Sequence, residues 1–184
     1  MSHVLSTGLA SPMDASAFFE AQLRFRTDPA DLAADLLEKE ERIVVIDTRS
    51  AQHYRLGHIP GAVSFPHGSM NPATTATLAR DKVYVCYCDG IGCNGSTQGA
   101  YKLAALGFQV KELIGGLHWW RQDGFAVALG EDAGVLLEGG MTCGCGSSSE
   151  RVRPSGWRPL ARLARGRVSS PSATVRLGLP AGAA

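Results

Sequence analysis

From Ala15 to Gly124 the chain alternates between stretches where apolar residues recur at every third or fourth position and short runs where they are continuous. The first pattern predicts helices, and the second predicts strands buried on both faces. Ala15–Arg26 is the first helical stretch, with Phe18, Phe19, Leu23 and Phe25 at roughly helical spacing, and it reads as amphipathic. Asp28 and Pro29 supply the N-cap and first-turn proline of a second helix, whose Leu32, Ala33, Leu36 and Leu37 share a face before the charged run Glu38–Arg42. Ile43–Ile46 is a continuous apolar strand. Asp47-Thr48-Arg49-Ser50 ends it and caps a short helix, Ala51–Leu56, that stops at Gly57. His58-Ile59-Pro60-Gly61 then turns the chain into a strand over Ala62–Phe65, and Ala73–Ala79 carries the pattern of one more short helix.

Val83–Tyr87 is rich in β-branched and aromatic residues and predicts a buried strand, closed by Cys88. Asp89–Gly95 contains Gly90, Gly92 and Gly95 and cannot continue it. A helical pattern resumes at Ser96, with Leu103 and Leu106 on one face and Gly107 as its stop. Val110–Ile114 is the last strand, and Gly115-Gly116 opens an aromatic helix through Trp119 and Trp120, closed by Gly124. This alternation predicts an α/β fold: one domain over residues 14–130, with a mostly parallel central sheet covered by helices on both faces. Catalytic groups in such folds sit beyond the carboxyl ends of the strands, where Asp47 and Cys88 both fall. Residues 1–13 predict a loose N-terminus. Residues 131–184 run from Gly/Ser-rich to Arg- and Pro-rich with few large apolar side chains, and predict a disordered tail.

Composition narrows the function. Across 184 residues, 18 Lys and Arg against 17 Asp and Glu leave a net charge of +1, which gives no reason to expect nucleic acid or an anionic membrane as partner. The opening residues lack the pattern of a secretory leader, and no apolar run approaches the ~20 residues of a membrane helix. Three of the five cysteines crowd into Cys86–Cys93 and two into Cys143–Cys145, poor spacing for a disulfide framework. The expectation is a reducing cytoplasm with thiols kept for chemistry.

The order strand, cysteine, glycine-rich loop, helix singles out Cys88. Backbone N–H groups of the loop and the first helical turn can point at its sulfur, and with the helix dipole they predict a lowered thiol pKa and a cradle for an anion. The competing reading is a buried structural cysteine.

Four motifs, in order, resemble the rhodanese-like domain family: Asp47-Thr48-Arg49 at a strand end, Gly57-His58-Ile59-Pro60-Gly61-Ala62, Tyr87-Cys88 at the next strand end, and Gly115-Gly116 through Trp120. The resemblance covers roughly residues 17–127. It implies a sulfurtransferase in which Cys88 attacks the outer sulfur of a donor, holds it as a persulfide and yields it to a thiol or other nucleophilic acceptor, without cofactor or metal. The partners implied are a small-molecule or protein sulfur donor and a thiol acceptor. The loop departs from the usual Cys-x-x-x-x-Arg-Ser: Cys88 to Ser96 is longer by two residues, has no basic residue, and is similar to a subgroup with Cys-x-Gly-x-x-Cys-Asn-Gly. A dianionic donor such as thiosulfate would meet Asp89 there, so a persulfide or less charged donor is expected to serve better.

On this reading, Asp89, Gly90, Ile91, Gly92, Asn94, Gly95 and Ser96 bind the substrate through backbone N–H groups. Cys93 is either an auxiliary thiol, resolving the persulfide as a disulfide or holding sulfur itself, or a bystander. Asp47 and Arg49 pair to orient the rim, and His58 satisfies backbone groups in its turn, with a general base as the lesser reading. Cys86 packs in the core. One of Trp119 and Trp120 is core, while the other or His118 borders the pocket. Arg49, Arg55 or His118 could bring a cation to it from neighbouring loops. Cys143 and Cys145 make only half of a zinc site and stay unassigned. Two other functions stay open: a thiol-redox protein working through Cys88 and Cys93, and a non-catalytic interaction module.

Overall fold

Ile43–Asp47 (β2) and Val83–Tyr87 (β4) run in parallel at the centre of the fold, paired from Ile43 against Val83 to Asp47 against Tyr87. The computed structural model describes residues 1–137; most of the expected tail, with Cys143 and Cys145, lies outside the described residues. Gln109–Leu113 (β5) flanks β4, and the short Arg26–Thr27 (β1) and Val63–Ser64 (β3) form the edges, giving the order β1-β5-β4-β2-β3. Every pairing is parallel. Helices Pro29–Leu37 (α2), Ala51–Leu56 (α3) and Gly95–Ala105 (α4) lie in connections between strands and Gly116–Gln122 (α5) follows β5, and the chain has the single α/β architecture its periodicity predicts.

The pleat divides β4 between two cores. Val85 and Tyr87 join Leu32 and Ala33 of α2, Tyr54 of α3, and Leu117 and Trp120 of α5. Tyr84 and Cys86 face the other way, onto Ile46, Met70, Phe108 and Leu103 of α4. Each fully buried Leu or Val side chain contributes about 1.5–3 kcal/mol, so these two clusters fix the carboxyl ends of β2 and β4 at one rim. Cys86 is fully buried, and burial pushes its thiol up to about 12.

Local signals act as the sequence implies at α2, where the Asp28 carboxylate accepts the Asp31 N–H at 2.8 Å and Pro29 sits in the first turn. Three elements differ. The first helix spans Pro12–Phe25 (α1) and starts early because Ser11 caps it, its Oγ accepting the Asp14 N–H at 3.1 Å. It is not the amphipathic helix expected: it buries no residue and leaves Phe18, Phe19, Leu23 and Phe25 exposed. Phe18 and Phe25 fall on one side and Phe19 and Leu23 on another, so no single stripe meets the sheet. Ala73–Ala79 forms turns in place of a helix. There Asn71 Oδ1 accepts the N–H groups of Ala73 and Thr74 at 2.9 and 3.1 Å, and the Thr75 hydroxyl donates to the Asn71 carbonyl, so side chains take the bonds a helix would use. Residues 131–137 lie against the domain: Gly61 N–H donates to the Ala133 carbonyl at 2.7 Å and Leu136 packs on the first core. Among the described residues no helix is long and apolar enough to cross a membrane.

Candidate active site

The strand ends are stapled before the chemistry begins. Thr48 donates to the Tyr87 carbonyl twice, from its N–H at 3.0 Å and its hydroxyl at 2.7 Å, which holds the β2 exit beside Cys88. Asp47 is fully buried and accepts from the Arg49 backbone N–H, from Arg49 Nε and Nη2, and from the Tyr87 hydroxyl at 2.7 Å. Arg49 Nη2 also donates to the Gly57 carbonyl at 2.7 Å, and Nη1 reaches Asp89 Oδ1 at 2.9 Å. The expected pair is therefore a three-member bridge, Asp47–Arg49–Asp89, tying the two motif loops to the cysteine loop. The Asp89 carboxylate is compensated, which corrects the picture of a bare negative charge beside the nucleophile. Arg55 does not reach the site; it pairs with Glu131 at 3.2 Å.

The loop is gripped from above by α5. Leu117 N–H donates to the Cys88 carbonyl at 2.9 Å and His118 N–H to the Asp89 carbonyl at 2.8 Å. Such close approach requires glycine at Gly116, where a Cβ would stand 2.3 Å from the Cys88 carbonyl oxygen and φ is 56°. Gly90 turns toward Cys93, whose N–H donates back to the Gly90 carbonyl at 3.0 Å.

Inside that turn Cys88 is only 1% exposed. Its Sγ lies 3.1 Å from the Cys93 carbonyl and 3.8 Å from the Gly90 carbonyl, with the Ser96 hydroxyl 3.7 Å away. Burial, then contact with the Cys93 side chain, push the Cys88 thiol up from its ordinary range; the backbone N–H groups of Ser96 and Gly90 and the Ser96 hydroxyl pull it down and lose. This reverses the predicted lowering. The glycine loop aims carbonyls as well as N–H groups at the sulfur, and it excludes the water that would solvate a thiolate. The resting group is a thiol.

Cys93 is half-buried and lines two clefts that flank the loop, whereas Cys88 lines neither. One cleft, of about 710 Å³, is bordered by Asp89, Ile91, His118, Trp119 and Arg121. The other, of about 680 Å³, is bordered by Arg26, Asn94, Ser96, Thr97 and Glu112. Glu112 accepts from the hydroxyls of Ser96 at 2.9 Å and Thr97 at 2.7 Å. Sequence reasoning missed Glu112, inside a strand with no motif, Arg121, one residue past the Gly115–Trp120 motif, and the Tyr87 hydroxyl that supports Asp47. Trp120 is the core tryptophan, and both Trp119 and His118 border the cleft. His58 has no free ring nitrogen for base catalysis: Nδ1 faces the Tyr54 carbonyl at 3.0 Å and Nε2 the Asp132 carbonyl at 2.9 Å, and the ring stacks on Tyr54. Among the described residues no group of three or more His, Cys, Asp and Glu is placed to hold a metal ion.

Several known proteins are similar to this chain. The chain is 43% identical to the BH2092 protein of Bacillus halodurans, whose crystal structure superposes with a TM-score of 0.63 over 65% of this chain and 87% of that one. A Lactobacillus plantarum protein at 26% identity superposes at 0.52, covering 61% and 94%. The thiosulfate sulfurtransferase GlpE of Pseudomonas putida is 34% identical over 53% of this chain and 86% of its own length. The HTH-type transcriptional regulator Rv0324 of Mycobacterium tuberculosis is 32% identical over 55% of this chain, which spans 45% of the regulator. The sequence profile of the rhodanese-like domain matches residues 29–123, slightly more than half the chain and the stretch that builds the sheet, the cysteine loop and the bridge, so this chain belongs to the rhodanese-like domain family.

Proposed function

We propose that the domain is a sulfurtransferase in which Cys88 accepts a sulfane sulfur and delivers it to a thiol acceptor. The observation that carries this reading is the position of Cys88 Sγ, at the end of β4 inside a loop that offers it the N–H groups of Gly90 and Ser96 and the Ser96 hydroxyl. In the closed loop burial outweighs these donors and keeps the group a thiol; once the loop opens, the same donors stabilise the thiolate and then the persulfide anion. A donor enters from a flanking cleft and the loop opens enough to expose the sulfur. The thiolate attacks the outer sulfur of the donor, the donor's S–S bond breaks, and the donor leaves with the electron pair. Similarity to a thiosulfate sulfurtransferase supports the reaction class, while the bridge, with two carboxylates on one guanidinium, leaves one net negative charge beside the loop and favours a less charged donor such as a persulfide.

A second reading, a thiol-redox protein cycling between the Cys88/Cys93 dithiol and its disulfide, is favoured by the contact between the two side chains. The two readings separate on Cys93, which redox cycling requires. The test is turnover with an organic persulfide or thiosulfate as donor and dithiothreitol as acceptor. Cys88→Ser is expected to abolish it with the fold intact; wild-type turnover in that variant would remove Cys88 from the reaction.

A further inference from the structure

The sealed sulfur of Cys88 leaves a step unexplained. With the loop closed, as it is here, an external thiol has no path to a group that is 1% exposed, yet an acceptor has to remove its sulfur. Cys93 stands between. It lines both clefts, its backbone carbonyl closes the turn over Sγ at 3.1 Å, and its side chain shares the Gly95 side of the turn with that of Cys88. Gly95 lies beside both cysteines: a Cβ there would stand 3.4 Å from Cys93 Sγ and 3.5 Å from Cys88 Cβ. Both thiols are free in this structure.

We propose that Cys93 resolves the Cys88 persulfide, a role that rests on the sulfurtransferase reading. The Cys93 thiolate attacks Cys88 Sγ; the Cys88–Cys93 S–S bond forms, the bond to the outer sulfur breaks, and hydrosulfide leaves with that electron pair. The proton released by Cys93 balances the charge on hydrosulfide. The enzyme is left oxidised by two electrons, and an external dithiol returns it to the resting pair through a mixed disulfide on Cys93, the more accessible sulfur. The acceptor is thus a dithiol reductant, and the sulfur leaves as hydrosulfide.

The test treats the reduced full-length chain with an excess of an organic persulfide, quenches by alkylation, and maps the tryptic peptide 83–102, which holds Cys86, Cys88 and Cys93 together. Hydrosulfide above the level given by donor alone is measured in parallel. Wild type is expected to release about one equivalent and to yield the peptide short of two hydrogens, with a Cys88–Cys93 bond. Cys93→Ser is expected to keep one added sulfur on Cys88 and to release hydrosulfide about tenfold more slowly or less. A stable persulfide on Cys88 in wild type, at the level seen in Cys93→Ser, would overturn the resolving role while leaving the sulfurtransferase reading intact. A disulfide in wild type with no sulfur ever gained by Cys93→Ser would overturn both in favour of the redox pair.

Discussion

At the scale of single residues the site is governed by where charge is allowed. Arg49 is the hinge of that arrangement, with its side chain 7% exposed between the buried Asp47 and the half-exposed Asp89. Removing one partner of a buried pair typically costs about 3–5 kcal/mol, so Arg49→Ala is expected to lower the melting temperature sharply, read by thermal denaturation. Asp89 works differently because water screens it. Asp89→Asn removes a carboxylate at the loop and leaves the guanidinium in place, and the local charge rises by one. A gain of about three- to tenfold in kcat/KM for thiosulfate relative to a neutral persulfide is expected from one screened charge. An unchanged ratio would mean that charge at the loop does not select the donor. Gly116→Ala is a third case: its Cβ would collide with the Cys88 carbonyl at a positive φ, and a loss of about 1–3 kcal/mol with a displaced loop is expected in unfolding and alkylation assays. The sequence makes Cys88, Asp47 and Arg49 visible because they close strands in recognisable motifs. It does not reveal the sign of the thiol shift, which depends on burial and then on the Cys93 side chain, neither of which a residue type encodes.

At the scale of elements the helices divide by what they bury. Leu32 in α2 is 1% exposed, and Leu32→Ala is expected to cost about 2–5 kcal/mol through lost contacts and the cavity left behind. Phe18→Ser and Phe25→Ser in α1 are expected to change stability by less than about 0.5 kcal/mol, because both rings already face solvent. Chemical denaturation of the three variants decides the matter, and a cost above 2 kcal/mol for either Phe variant would show that α1 is packed in solution. The same contrast explains what was legible. Asp28-Pro29 and the face of α2 read correctly because cap and stripe agree. The phenylalanines of α1 read as a core face, but two pairs on different sides of a helix cannot meet one sheet. Ala73–Ala79 failed because Asn71 and Thr75 supply side-chain bonds that propensity does not count.

At the scale of the whole molecule, β4 joins stability to chemistry. Cys86 and Tyr87 are buried in neutral form, with the Cys86 thiol pushed from 9.0 to about 12 and the Tyr87 hydroxyl also raised by burial and by Asp47. Raised values mean that the stability these groups lend is complete below their ordinary range and is lost as pH rises through the folded values. The melting temperature is expected to hold at neutral pH and to fall from about pH 9 toward pH 12, less steeply in Cys86→Ala. The parallel α/β architecture was legible from alternating runs, since parallel neighbours need helical crossovers; the strand order and the short edge strand β1 were not. The Asp47–Arg49 pair was legible from its motif, but its extension to Asp89 was not, because that joins two loops 40 residues apart. The central claim is that Cys88, sealed at the end of β4, is the group that takes the sulfur. Rapid-quench alkylation of wild type after mixing with a sulfur-labelled persulfide, followed by fragmentation of the peptide 83–102, tests it most directly. The account predicts that the label appears first on Cys88 and never on Cys86; label appearing first on Cys93, or no cysteine label while turnover proceeds, would contradict it.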